Sequence, residues 1–222
     1  GATLHAWAAA QPDYATFAGR GEVRAVPAPA PGPDRRERWA VRHYRRGGAM
    51  AGHLDDRYLR LGRYRPFREL TASVAVRERG VPTPAVMAGA AYLDGIYYRA
   101  DLVTEVVPTA RTLADTLHAT DGTRGWLEAM GAAGSLIERL GSSGVYHVDL
   151  NAHNIVFEEA DLGRPWVLDL DRVKLSSRSS PGAEERMRAR LTRSIVKVGT
   201  PTGERLGDRE VLDALRRRAS GS

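Results

Sequence analysis

The chain contains no cysteine, which excludes disulfides, thiolate metal sites and a cysteine nucleophile, and which fits an intracellular compartment. Lysine is nearly missing as well: among 33 Lys and Arg residues, only Lys174 and Lys197 are lysines. Cationic chemistry therefore falls to arginine, whose planar fork grips phosphates and carboxylates at two points. Against 27 acidic residues this leaves a formal net charge of +6, a balance that favours an anionic partner such as nucleic acid, anionic lipid or a phosphorylated sugar; GC-rich coding toward Arg and Ala produces the same bulk charge. No uncharged apolar run approaches the roughly 18–20 residues of a membrane-crossing helix, and no basic-then-apolar signal segment opens the sequence. Any meeting with a membrane is thus expected from the side. Internal repeats are absent too. What is present is a globular composition, 42% hydrophobic and 27% charged over 222 residues, enough for one sizeable core or a small lobe with a larger one.

Along the chain, residues 15–30 hold a Gly-containing turn between two short β-prone stretches. After the proline-rich break Pro27 to Pro33, Arg38-Trp39-Ala40-Val41-Arg42-His43-Tyr44-Arg45 reads as a strand ended by Gly47-Gly48. From Arg65 the spacing turns helical, with Phe67, Leu70, Val74 and Val76 as the apolar positions and Gly80, Pro82 and Pro84 as the stop. Strand signals return at 86–91 and 97–107. A second helical tract covers about 112–141, with Thr112 or Asp121 as N-caps and Leu127, Met130, Ala133, Leu136, Ile137 and Leu140 on one face. Two short strands, 154–157 and 166–168, are expected around a turn at Leu162-Gly163-Arg164-Pro165, followed by charged helices near 183–197 and 207–218. Sheet, helix, sheet and then mainly helix predict an α+β chain: an N-terminal lobe over 1–104 and a C-terminal lobe over 105–222.

Chemistry concentrates in His147-Val148-Asp149-Leu150-Asn151-Ala152-His153-Asn154 and Val167-Leu168-Asp169. Phosphoryl transfer requires a carboxylate to take or orient the attacking hydroxyl's proton, oxygen ligands for Mg²⁺, and a cation on the nucleotide phosphates. The kinase catalytic loop His-Arg-Asp-x-x-x-x-Asn has the same Asp-to-Asn spacing as Asp149 and Asn154. Asp149 is the expected catalytic base, with Asn154 and Asp169 as metal ligands. Each residue alone has an ordinary reading as a turn cap or strand end; their order and flanking strands carry the assignment. Leu170 and Asp171 depart from Asp-Phe-Gly. Upstream, Trp39-Ala40-Val41-Arg42 stands where kinases carry Val-Ala-Ile-Lys, placing Ala40 and Arg42 at the nucleotide, with Arg in place of Lys. Glu69 is the expected helix partner of Arg42, the alternative being a solvated pair with Arg65 or Arg68. Gly19 and Gly21 are the expected remnant of a phosphate-covering loop, an ordinary turn being the alternative, and Glu105 and Val107 are the expected hinge contacts to adenine, with an edge strand as the alternative.

Arg42-His43-Tyr44-Arg45-Arg46-Gly47-Gly48, Phe67-Arg68-Glu69, Gly80-Val81-Pro82-Thr83-Pro84, Tyr98-Arg99-Ala100-Asp101-Leu102-Val103-Thr104-Glu105 and Asp149-Leu150-Asn151-x-x-Asn154 resemble the 3-deoxy-D-manno-octulosonic acid (Kdo) kinase family over roughly residues 19–197. The resemblance implies a protein-kinase-like two-lobe fold with a small antiparallel-sheet N-lobe, one main helix and a shortened, mainly helical C-lobe. It implies transfer of phosphate from ATP, with Mg²⁺, to the 4-hydroxyl of a lipid-linked Kdo acceptor on a lipid A precursor. It also implies peripheral attachment to an anionic membrane at the cytoplasmic face of the inner membrane. Arg45, Arg46, Arg57, Arg60 and Arg63, and later Arg186, Arg188, Arg190 and Arg193, are the expected approaches to acceptor or membrane. No Ala-Pro-Glu element follows Asp169, which argues against a regulated protein kinase. An aminoglycoside, choline or heptose kinase, and an inactive anion-binding pseudokinase, are the alternatives. Nucleic acid is not expected as a partner, since the basic residues lack an aromatic stacking platform or helix-turn-helix pattern.

Overall fold

A computed structural model describes residues 3–17, 23–45, 56–119, 123–158, 161–177, 182–199 and 206–217. The chain divides into two compact units, Gly1–Ala75 with Pro84–Val107, and Val76–Thr83 with Pro108–Ser222. The boundary expected after residue 104 thus falls at Val107, and a short segment around Gly80 groups with the second unit.

The first unit is an antiparallel sheet. Strands β1 (Ala15–Phe17), β2 (Val23–Pro27), β3 (Arg38–His43), β4 (Tyr58–Leu59), β5 (Val86–Asp94) and β6 (Tyr97–Glu105) pair in the order β1-β2-β3-β6-β4, with β5 also on β6. Asp94 pairs with Tyr97 across the tight turn that closes β5 onto β6, where Gly95 takes a φ of 58° that an L side chain rarely adopts. Alternation along β3 sends its side chains to two different cores. Val41 joins Ala8, Val26 and Val103 beneath helix α1 (Leu4–Ala9), which sequence spacing did not reveal. Tyr44, one step out of phase, joins Tyr58, Tyr98, Ala100 and Leu102 on the side of helix α2 (Arg65–Glu78). The start of α2 lies so close to β5 that a Cβ on Gly89 would come within 2.9 Å of Pro66. The buried face of α2 is not the apolar one expected: Val74 is 49% exposed, while Glu69 and Ser73 are buried with Ala72 and Val76.

A polar cluster fastens α1 to the sheet. Asp101 on β6 is fully buried and accepts hydrogen bonds from His43 Nδ1 (2.6 Å), the His5 N–H (2.8 Å) and the Tyr92 hydroxyl (2.9 Å), while Tyr92 accepts the Leu4 N–H (2.7 Å). Asp56 receives the other nitrogen of His43 at 3.1 Å.

In the second unit, β7 (Ala110–Thr112), β9 (Ile155–Glu158) and β10 (Asp161–Val167) form one small sheet, and β8 (Val145–Tyr146) with β11 (Lys174–Leu175) another. The expected turn at 162–165 lies inside β10, where the pairing register shifts between Asp161 and Trp166. The single helical tract expected over 112–141 is two helices, α3 (Leu113–Ala119) and α4 (Thr123–Ser142), followed by α5 (Ala183–Val198) and α6 (Asp208–Arg216). Thr112 caps α3 as expected, its Oγ1 accepting the Asp115 N–H at 3.1 Å; Asp121 lies outside the described residues. Helices α4 and α6 meet at Gly134, where a Cβ would sit 2.0 Å from the Leu215 carbonyl oxygen. Arg188 is not an outward-facing cation as expected but is buried, donating to that same carbonyl at 2.7 Å and to Glu138 at 3.0 Å.

The Asp101 cluster predicts a pH signature. His43 is held above its ordinary 6.5 by the hydrogen bond to Asp101 and then by Asp56, against the opposing effect of burial. Burial acts to raise Asp101, but the bonds from His43, His5 and Tyr92 outweigh it and hold the group below 3.8. The His43 contribution is complete below 6.5 and is lost as pH rises through its raised folded value, whereas the Asp101 contribution is present above 3.8 and is lost as pH falls. Asp101→Asn is expected to cost about 2–4 kcal/mol between those limits. Thermal unfolding of both proteins should show the gap narrowing as pH climbs above 6.5, and a constant gap would contradict the assignment.

Candidate active site

In the first unit, Ala40 and Arg42 share one face of β3. Arg42 donates from Nη2 to both oxygens of Glu69, at 2.9 and 2.8 Å. Tyr44 donates its hydroxyl to the same carboxylate at 2.5 Å, and the Arg42 guanidinium lies 4.8 Å from the Tyr44 ring centroid. Burial and the adjoining carboxylate push the Tyr44 phenol far up, so it remains a donor. Glu69 therefore points inward to Arg42, as expected from the kinase comparison, and not outward into solvent. Glu105 closes β6 with its N–H bonded to the Ala85 carbonyl at 2.9 Å. Its carboxylate, buried, accepts the N–H groups of Asp34 and Arg36 at 3.1 and 3.2 Å. The side chain of Glu105 thus shapes the loop before β3, a role its sequence position did not suggest. Val107 follows, nearly buried. Gly19 and Gly21 lie outside the described residues.

The second unit brings Asp149, Asn154 and Asp169 together through their main chain. Leu168 is the joint: its N–H donates to the Asn154 carbonyl at 2.8 Å, and its carbonyl accepts from His147 Nε2 at 3.0 Å. Asp169 follows directly, at a left-handed φ of 61° that non-glycine residues seldom hold. Such backbone persists only where the surroundings over-determine it. The loop itself is tightened by Asn151 Nδ2 on the Asp149 carbonyl (2.8 Å), Asn151 Oδ1 on the His153 N–H (2.9 Å) and Asn154 Nδ2 on the Asp149 carbonyl (3.2 Å). That last bond orients the Asn154 amide, since its nitrogen end is spent on the loop.

His147 is almost wholly buried, and desolvation holds its pKa below 6.5, so the ring is neutral with the proton on Nε2. Helix α5 backs the loop: Met187 sulfur accepts the His147 N–H at 3.4 Å and Ser194 Oγ accepts the Ala152 N–H at 3.1 Å. Between those two positions on the same helical face, Arg190 donates to Asp149 Oδ1 at 2.7 Å; Arg172, closing the short 3₁₀ turn Leu170–Arg172, donates to Oδ2. Neither arginine was singled out as a partner of Asp149 in the sequence, because each contact joins residues far apart in the chain. Arg79, likewise unpredicted, binds the carbonyls of Ser143, Gly144 and Ser176 at 2.9–3.1 Å and holds the segment after α2 within this unit.

Arg42→Met would leave the buried Glu69 carboxylate without its cation and is expected to cost about 3 kcal/mol. Arg42→Lys keeps the charge but loses the guanidinium's reach and ring contact, for about 1 kcal/mol. Urea unfolding of the three proteins checks the order; equal losses from both substitutions would contradict it.

Residues 20–210 match the model of the lipopolysaccharide kinase (Kdo/WaaP) family. A 3-deoxy-D-manno-octulosonic acid kinase of Stenotrophomonas maltophilia (strain R551-3) is 36% identical over 160 residues, covering 71% of this chain and 61% of that protein. One from Xanthomonas oryzae pv. oryzae (strain PXO99A) is 38% identical over 170 residues, covering 75% of this chain and 66% of that protein. The chain thus matches somewhat under two thirds of the length of these relatives. Among solved structures, WaaP in complex with acyl carrier protein superposes with a TM-score of 0.51 at 17% identity, over 91% of this chain and 78% of that one, a likeness of fold. With a family match that takes in the strand of Arg42, the helix of Glu69 and the whole Asp149 to Asp169 segment, this chain belongs to the lipopolysaccharide kinase (Kdo/WaaP) family.

Proposed function

We propose that this protein is an ATP-dependent sugar kinase that phosphorylates the 4-hydroxyl of a Kdo residue on a lipid A precursor, in assembly of the lipopolysaccharide inner core. The observation that supports it most is the second unit's backbone lock, which ties a solvent-reachable carboxylate, Asp149, to Asn154 and Asp169. In this reading Asp149 accepts the proton of the acceptor hydroxyl as its oxygen bonds to the γ-phosphorus of ATP. The bond from that phosphorus to the β,γ-bridging oxygen breaks, and ADP leaves. Arg42, oriented by Glu69 and Tyr44, supplies positive charge to the nucleotide phosphates in place of the usual lysine. The main chain at Glu105 and Val107 borders adenine; because the Glu105 N–H is bonded to Ala85, its carbonyl is the group proposed for that contact.

Mg²⁺ fits the donors present. Asn154 has its amide nitrogen turned to the loop, Asp169 adds a carboxylate, and both are hard oxygen ligands. Among the described residues no group of three or more His, Asp or Glu converges as a complete metal cage; an ion shared with nucleotide phosphates and water asks fewer protein ligands. When bound, Mg²⁺ supplies charge neutralisation on the phosphates.

The acceptor is lipid-linked, so this reading carries a peripheral position at the cytoplasmic face of the inner membrane. No described helix is long and apolar enough to cross a bilayer. The first unit exposes Leu59, Leu61, Leu93 and Ile96 around the β5–β6 turn, with Arg57 and Arg60 bonded to Asp94 and Gly95 in the same place. Apolar side chains among arginines suit an anionic lipid surface.

Two experiments test these assignments. With lipid-linked Kdo and labelled ATP, Asp149→Ala should lower transfer by about a thousandfold and leave nucleotide binding in place, whereas Asp169→Ala should lose Mg²⁺-dependent nucleotide binding. Normal transfer by both would remove the site, and turnover of an aminoglycoside, choline or heptose without turnover of Kdo would reassign the acceptor. For the membrane surface, Leu61→Asp with Ile96→Asp should weaken cosedimentation with anionic vesicles about tenfold; unchanged sedimentation would clear that patch of the role.

A further inference from the structure

We infer that Arg172 and Arg190 form an acceptor-anion subsite that guards Asp149 until an acid group arrives beside the reacting hydroxyl. The inference rests on the kinase reading above and extends it to how the acceptor is chosen. Both oxygens of Asp149 are engaged, Oδ1 by Arg190 and Oδ2 by Arg172. The carboxylate is 26% exposed, within reach of a substrate, while the side chains of Arg172 and Arg190 are 58% and 45% exposed. Each guanidinium has five N–H donors, and the recorded contact to Asp149 uses one nitrogen of each. Donors therefore remain for a second anion.

The mounting of these arginines matters as much as their contacts. Arg190 lies three residues after Met187 and four before Ser194, the two α5 side chains that hold the loop by its His147 and Ala152 N–H groups. Arg172 ends the short turn begun immediately after Asp169. Both cations are thus carried by the same elements that position the base. Half-exposed ion pairs contribute little to stability, and these two converge on the one carboxylate the chemistry has to reach.

An attacking hydroxyl has to share an Asp149 oxygen with a guanidinium, whose charge-assisted bond lowers that oxygen's basicity until it is drawn away. A neutral acceptor leaves both guanidiniums on the base. An acceptor with a carboxylate a few bonds from its hydroxyl offers a replacement, and a bidentate one. Kdo is such a sugar acid, its carboxylate standing close in the ring to the 4-hydroxyl. Selectivity then arises from an exchange of partners: the acid group takes the arginines and releases the base.

The test compares a Kdo acceptor with its carboxyl methyl ester, using the 222-residue chain and the Arg172→Gln/Arg190→Gln double variant, with kcat and KM taken separately. The unsubstituted protein should favour the acid over the ester about tenfold or more in kcat/KM. In the double variant the KM for the acid should rise by about that factor, the preference should fall to near one, and the KM for ATP should stay within about twofold. Arg190→Lys should restore part of the preference. An unchanged acid-to-ester ratio, or a rise in the KM for ATP instead of the acceptor, overturns the subsite; the latter would give the arginines to the γ-phosphate. Calorimetric titration with the acid and the ester separates this proposal from the kinase reading. Acid binding lost in the double variant, with no phosphoryl transfer by the unsubstituted chain, sinks the reading and keeps the subsite, whereas equal binding of acid and ester sinks the subsite whatever the turnover.

Discussion

Leu168 is held at both its N–H, by the Asn154 carbonyl, and its carbonyl, by the His147 ring, and the placing of Asp149, Asn154 and Asp169 depends on that hold. The bond from His147 requires a proton on Nε2, and burial, by disfavouring the charged form, leaves that as the ring's one proton. The cost is a Nδ1 with no hydrogen-bond partner among the described residues. A histidine serving only as filler would be a poor choice there; as a directed donor it sets where β10 ends and where Asp169 begins. Asp169 then turns into the left-handed region at once, which changes the direction of the chain immediately after the lock. Asp149, Asn154 and Asp169 thus derive their positions from bonds to the main chain, not from contacts among their own functional groups.

The first unit uses buried charge differently. On β3, Arg42 and His43 face opposite sides, and each meets a carboxylate, Glu69 and Asp101 respectively. Both acids are almost completely enclosed, and both have several donors. Removing one member leaves an unpaired charge in a low-dielectric place, so the pairs fix register and helix position more than they add stability. Asp101 decides how α1 lies on the sheet, and Glu69 decides how α2 presents to Arg42. The polar face of α2 is buried for this reason, while Val74 is left outside.

These features were unequally visible in the sequence. The Asp149, Asn154 and Asp169 spacing was legible because the Asp-to-Asn interval is that of the kinase catalytic loop and two short strands separate it from Asp169. Arg42 with Glu69 was legible from the order of strand and helix, and Thr112 from cap chemistry. Helix α1 was not: Leu4–Ala9 is short, and what holds it is Asp101, distant in the chain. The bonds of Arg172 and Arg190 to Asp149 were hidden for the same reason, crossing 23 and 41 residues, although Arg190 was among the arginines expected near the acceptor or membrane. The apolar periodicity of α2 misled because a helix facing a buried ion pair presents polar residues to the interior. The turn placed at Leu162–Pro165 failed because Gly and Pro also mark a strand irregularity.

Arginine abundance is a poor guide to surface charge in this chain. Arg188 is buried and binds the end of α6, Arg79 gathers three carbonyls, and Arg42 neutralises an enclosed glutamate. Arg188 and Arg79 spend their donors inside the fold and Arg42 shares its charge with Glu69, although each counts in full toward the net charge. A guanidinium suits such work because it has several fixed donors and is weakly hydrated for a cation. An ammonium would lose more on burial and reach fewer acceptors. What distinguishes Arg172 and Arg190 is therefore not their charge but their position: exposed enough to exchange partners, and aimed at Asp149.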